Sequence, residues 1–118
     1  MKVLLVDDDE AFSASLKELL RLDAVEADAA KDGVEALLKL RANGYSLMVL
    51  DLMMPNRNGW ELLDDMQNLG IKTPVIVASS YVSVPEPMPG NIIGTYEKPC
   101  PGLAAEIVSQ VRRLAAHA

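Results

Sequence analysis

One cysteine, Cys100, stands in the whole chain, so no intrachain disulfide can form and the fold has to hold by packing alone. No excess of positive charge is present either. With 11 Lys and Arg against 17 Asp and Glu the formal net charge is −6, which argues against non-specific binding to nucleic acid, where clustered cations must displace counterions. Any nucleic-acid-binding output is therefore expected on another polypeptide or a detached domain. No apolar run approaches the roughly 20 residues that span a bilayer. Met1 leads straight into a short strand-like run rather than a long apolar leader with a cleavage site, and the expected compartment is the cytoplasm. Internal repeats, blocks of like charge and low-complexity linkers are all missing. The lone histidine, His117, lies next to the chain end and is expected to do nothing.

What remains is a chain of 118 residues, half of them hydrophobic, which is enough for one domain with a real core. Short apolar runs alternate with helical patterns. Val3 to Val6 reads as a central strand, followed by Phe12, Leu16, Leu19 and Leu20 at helical spacing. Val25, Ala27 and Ala29 alternate with Glu26 and Asp28, the pattern of an edge strand with one wet side. Asp32-Gly33 turns into a helix marked by Val34, Leu37, Leu38 and Arg41, stopped at Asn43-Gly44. Leu47 to Leu50 is a second buried strand, and Trp60, Leu63 and Met66 mark the helix after it, ending near Gly70. Thr73-Pro74 opens a strand from Val75 to Ala78. Pro85, Pro87 and Pro89 then remove backbone donors, so residues 81–91 are expected to form a loop or at most a turn of helix. Ile92 to Tyr96 resumes as a strand, and Pro101 suits the first turn of a last helix carrying Leu103, Ile107, Val111 and Leu114.

Five strands alternating with about four helices imply parallel pairing through right-handed crossovers. The expected architecture is an α/β, flavodoxin-like, doubly wound five-stranded sheet in the order 2-1-3-4-5, with the helix before the fifth strand short or absent. That order puts two acidic strand ends side by side: Asp7-Asp8-Asp9 after the first strand and Asp51 after the third. Converging carboxylates repel, and a hard divalent cation held by oxygen, Mg²⁺ above all, relieves them. With a cation beside it, a carboxylate can attack a phosphorus centre, provided an ammonium and a hydroxyl hold the transferring oxygens. Lys98 and Ser79, also at strand ends, supply those two groups. Asp9 is better read as a helix cap than as a ligand.

These residues resemble the receiver domain of two-component response regulators, and the resemblance covers Lys2 to about Ala115. Leu-Leu-Val-Asp7-Asp8 is similar to the family's acidic pair, and Asp51-Leu-Met-Met-Pro55 with Gly59 to its phosphoacceptor loop. Val77-Ala-Ser79 stands where the family keeps Ser or Thr, and Tyr96-Glu-Lys98-Pro99 matches its lysine–proline end. The resemblance implies a single CheY-like receiver domain over 1–118. It implies phosphoryl transfer to Asp51 from a phosphohistidine on a sensor histidine kinase or phosphotransfer protein, with Ser79 and Lys98 holding the phosphoryl group. Mg²⁺ would be bound by Asp8, Asp51 and the Met53 carbonyl, with Asp7 acting through water. A cis Lys98-Pro99 bond is implied too, and so is a protein partner downstream. Such a domain catalyses only its own phosphorylation and dephosphorylation.

Three positions depart from the family pattern. Thr95 replaces the aromatic residue three before the lysine, and alternation turns Tyr96 to the opposite face. The proline-rich stretch replaces a helix many receivers use to dimerise, and Cys100 replaces a common aromatic. Phosphoryl chemistry with an unusual readout is the expectation. Met53 and Tyr81, two past the acceptor and two past the hydroxyl, are poor at orienting water, so slow dephosphorylation is expected as well. Two other functions compete. A degenerate receiver would act by protein contact without phosphate, and a haloacid-dehalogenase-like phosphatase would use Asp7-x-Asp9, though it leaves Asp51 unexplained. A flavin site is disfavoured, since no Ser/Thr/Gly-rich loop follows the first strand.

Overall fold

The computed structural model describes residues 2–80 and 90–116. Its elements run β1 (Lys2–Val6), α1 (Glu10–Leu22), β2 (Glu26–Ala30), α2 (Gly33–Ala42), β3 (Leu47–Leu50), α3 (Gly59–Leu69), β4 (Val75–Ser79), β5 (Ile92–Glu97) and α4 (Leu103–Ala116). The five strands form one parallel sheet in the order β2-β1-β3-β4-β5, the expected doubly wound arrangement. Residues 81–89, on which the expectation of a loop or short helix mainly falls, lie outside the described residues.

Alternation along the strands sorts the core onto the two sheet faces. Leu4, Val6, Met48, Leu50, Val75 and Val77 pack on one side with Ala36 and Leu40 of α2 and Leu62, Leu63 and Met66 of α3. Val3, Leu5, Leu47, Val49, Ile76 and Ala78 pack on the other with Leu16 and Leu20 of α1 and Leu103, Ile107 and Val111 of α4. Strands β1, β3 and β4 are thus covered on both faces, which is why they read as unbroken apolar runs.

Several details differ from the sequence-based expectations. Val34 and Leu38 are exposed, and α2 instead turns Ala36 and Leu40 inward. Alanine at the contact lets the helix axis come close, and the larger Val34 and Leu38 side chains remain outside. Leu19 is also exposed. In β2 it is Ala30, not Ala29, that is buried. The last helix starts at Leu103, after a turn containing Pro101 and Gly102, whose φ is +91°. Serine 79 belongs to β4 itself, and β5 extends to Glu97.

The register of the sheet builds the carboxyl edge. Val6 pairs with Leu50 and Leu50 with Val77, so β1 and β3 end level with one another. The Asp51 amide donates to the Val6 carbonyl at 2.9 Å, and the Lys98 amide donates to the Ser79 carbonyl at 2.8 Å. Asp7, Asp51, Ser79 and Lys98 are therefore delivered to one rim by backbone pairing alone.

Candidate functional site

Each loop at this rim has a local reason for its shape. Asp9 sits in extended conformation and its Oδ1 accepts from the Phe12 amide at 3.0 Å, capping α1 and turning the chain away from Asp7 and Asp8. After β3, the Met53 amide donates back to Asp51 Oδ1 at 3.1 Å. Asn58 caps α3 in a reciprocal capping box with Glu61. Gly59 lies so close beneath the loop that a Cβ there would stand 2.7 Å from Leu52 Cα and 2.8 Å from the Asp51 carbonyl oxygen. Only glycine fits that approach.

The same loop is tied to α2. Asn56, at a φ of +61°, donates from its side chain to Asp32 Oδ2 at 2.9 Å, and the Gly33 amide donates to the Arg57 carbonyl at 2.7 Å. The Arg57 guanidinium grips both Asp65 oxygens at 2.7 Å and Glu61 at 3.0 Å. Those hydrogen bonds, helped by the Arg57 charge, hold the Asp65 carboxyl below the ordinary carboxylate range.

At the centre, carboxylate oxygens of Asp7, Asp8 and Asp51 all lie within 4.8 Å of one another. Asp7 and Asp51 are buried and Asp8 is exposed, so the cluster opens to solvent on the Asp8 side. Asp51 Oδ1 accepts from the fully buried Ser79 hydroxyl at 2.7 Å, while Oδ2 faces the Lys98 ammonium at 3.5 Å. Lys98 also donates to Asp7 Oδ2, and Asp7 Oδ1 accepts from the Asp9 amide at 2.9 Å. Burial pushes the Asp7 carboxyl above its ordinary value, against the opposing pull of Lys98 and of that amide. Three clustered acids balanced by one amine leave an excess of negative charge. A hard, oxygen-only donor set of this kind suits a divalent cation.

The residues expected from the sequence are therefore brought together: Asp51, Ser79 and Lys98 with Asp7 and Asp8. Met53 touches the site through its backbone, while its side chain is exposed rather than packed. Asp9 stays outside as a cap, which leaves the Asp7-x-Asp9 phosphatase reading without its second carboxylate. The Lys98-Pro99 bond is cis. Tyr96 lies on the α1–α4 side, where its hydroxyl donates to Glu106 at 3.2 Å, and Thr95 is exposed. Sequence reasoning missed Phe12, read only as core. Its ring centroid lies 4.1 Å from the Lys98 nitrogen. The two residues are far apart in the chain, and only the fold brings the lysine that follows β5 over the start of α1.

The family model for the response regulator receiver domain matches residues 3–95. This chain belongs to the response regulator receiver family. The receiver match stops short of Lys98, which the sheet nonetheless carries to the expected place. Response regulator MprA of Mycobacterium avium is 33% identical over 115 residues, 97% of this receiver and 50% of that protein. The chain thus spans about half the length of the curated relatives it matches. Among solved structures, the receiver domain of Francisella response regulator 1452 is 30% identical with a TM-score of 0.83, covering 98% of this chain and 97% of that one. Response regulator TrrA of Thermotoga maritima, in complex with Mg²⁺ and BeF, is 26% identical with a TM-score of 0.79, covering 96% and 97%. Among the described residues, no helix of this receiver is long and apolar enough to cross a membrane.

Proposed function

We propose that this receiver is a phosphorylation-dependent switch in which Asp51 accepts a phosphoryl group from a phosphohistidine on a partner kinase or phosphotransfer protein. A carboxylate oxygen of Asp51 attacks phosphorus, the P–N bond breaks, and the imidazole keeps the bonding pair and is reprotonated. The product is a mixed anhydride on Asp51. The observation that carries this reading is the meeting of Asp7, Asp8 and Asp51 with Ser79 and Lys98 in one pocket.

Asp7, Asp8 and Asp51 would hold Mg²⁺, with the Met53 carbonyl added by family resemblance. Bound there, the cation would neutralise charge on the transferring oxygens. Ser79 already donates to Asp51, and its hydroxyl would turn to a phosphoryl oxygen formed there. Lys98, now shared between Asp7 and Asp51, would pair with the phosphoryl group, whose roughly −1.5 to −2 charges outcompete a single carboxylate. No other substrate is turned over; the chemistry is the domain's own phosphorylation and hydrolysis.

The readout differs from a swinging aromatic beside Lys98. Thr95 has no ring to swing, and Tyr96 is held on the α4 face by Glu106. Ligand-driven change must come from contacts made better in one state, and here those are Ser79 and Lys98. Addition of beryllofluoride with Mg²⁺ should shift amide resonances around Asp51, Ser79 and Lys98 and leave the Tyr96 ring resonances in place. An unperturbed Asp51 loop would refute the switch, and a large movement of Tyr96 would refute the readout.

A further inference from the structure

Lys98 is held by three groups, and one of them is not a carboxylate. Its ammonium donates to Asp7, lies 3.5 Å from Asp51 Oδ2, and stands 4.1 Å over the centre of the Phe12 ring. The ring itself is fixed from two sides. Its backbone amide is bound by the Asp9 cap at 3.0 Å, and its side chain packs against the α1–α4 core. An ammonium over an aromatic face is attracted by the ring quadrupole, more strongly where water is kept out, and the Lys98 side chain is only 18% exposed.

We infer that Phe12 is a positioning residue for the phosphoryl reaction: it gives the Lys98 ammonium a seat that does not depend on Asp7. This rests on the reading of the pocket as a phosphoryl-accepting site. Asp7 is a poor permanent partner, because a divalent cation drawn to the acidic cluster competes with Lys98 for it. A lysine tied only to that carboxylate would be expelled towards solvent by the arriving positive charge. The Phe12 ring carries no formal charge and competes for none of the carboxylate oxygens. It keeps the ammonium at the rim while Asp7 is given up, within a short swing of the oxygens that develop on Asp51. Replacing the ring by leucine keeps an apolar side chain against the core and removes the aromatic face beneath Lys98, so it separates this contact from ordinary packing.

Three proteins decide it: the parent, Phe12→Leu and Phe12→Tyr. The first readout is the proton shifts of the Lys98 ε-methylene, with and without saturating Mg²⁺. The second is the rate at which acetyl phosphate modifies Asp51 in Mg²⁺, followed by intact mass. In the parent the ε-protons should be moved upfield by the ring current and remain so when Mg²⁺ is added. Phe12→Tyr should keep both the shift and the rate. Phe12→Leu should lose the shift and react about tenfold more slowly, equivalent to about 1.4 kcal/mol, while remaining folded and binding Mg²⁺ as the parent does. Lys98 ε-protons at ordinary shifts in the parent, their return to ordinary shifts on adding Mg²⁺, or a Phe12→Leu variant reacting at the parental rate would each overturn the inference. Absence of phosphorylation in all three proteins would sink the functional reading instead, and the ε-proton shifts in Mg²⁺ would still decide whether Phe12 seats the lysine.

Discussion

Replacing Gly59 by alanine tests whether the Asp51 loop is held by close backbone approach. The added methyl would lie 2.7 Å from Leu52 Cα, 2.8 Å from the Asp51 carbonyl oxygen and 3.0 Å from Leu52 Cδ2. Carbon atoms prefer about 3.5–4.0 Å, and two of the three neighbours are backbone, so relief requires α3 to back away from the loop. Overpacking of this kind costs about 2–3 kcal/mol, and alanine's better helix propensity returns up to about 1. The net loss of about 1–2 kcal/mol corresponds to a fall in Tm of about 4–8 °C for a chain of this size. Thermal unfolding followed by circular dichroism measures it. Gly44→Ala is the matched control, because nothing lies within 4 Å of a Cβ there. The methyl also presses on the carbonyl of the acceptor residue, so Gly59→Ala should phosphorylate more slowly than Gly44→Ala. Equal Tm values for the two variants would refute the reasoning.

Three further outcomes are expected. Tyr45 donates to Asp28 Oδ2 at 2.7 Å; that bond holds the Asp28 carboxyl below its ordinary value, while burial, with Asp28 beside it, pushes the Tyr45 hydroxyl up to about 12. A depressed acid stabilises above its unfolded pKa of about 3.9, so Tyr45→Phe should cost about 1 kcal/mol near neutrality in urea unfolding. That cost should shrink as pH falls through the lowered Asp28 value, and a difference independent of pH would be inconsistent with the bond. Arg57→Ala breaks the bidentate pair with Asp65 and should lower the urea midpoint, an effect again fading in acid as the depressed Asp65 carboxyl protonates; an unchanged urea midpoint would show the pair to be idle. Phosphoryl lifetime should be long, because exposed, apolar Met53 offers attacking water no hydrogen bond. Decay of the phosphorylated species within seconds, read by intact mass after removing the donor, would count against that.

The sheet and its acidic rim were legible because burial on two faces leaves unbroken apolar runs, and each of those runs ends in a chemically distinctive residue. Parallel register then brings Asp7 and Asp51 level, with Ser79 one residue further along β4. The helices were read less well. Val34 and Leu38 satisfy helical spacing as well as Ala36 and Leu40 do, and only close packing of α2 favours the second pair, with Leu37 partly buried against the same core. Alanine carries too little apolar area for alternation to choose between Ala29 and Ala30. The ties that shape the acceptor loop, Asn56 to Asp32 and Gly33 to Arg57, join residues 24 apart and leave no periodic mark. Phe12 was hidden for a related reason, since an aromatic one turn past a helix cap looks like core until the lysine that follows β5 is placed above it.

Intact-mass analysis after incubation with acetyl phosphate and Mg²⁺, comparing the parent with Asp51→Asn, bears most directly on the whole account. The parent should gain about 80 Da, one phosphoryl group, and the variant none. A gain of the same size in both proteins, or none in the parent under conditions where it is folded, would contradict the assignment of Asp51 as the acceptor.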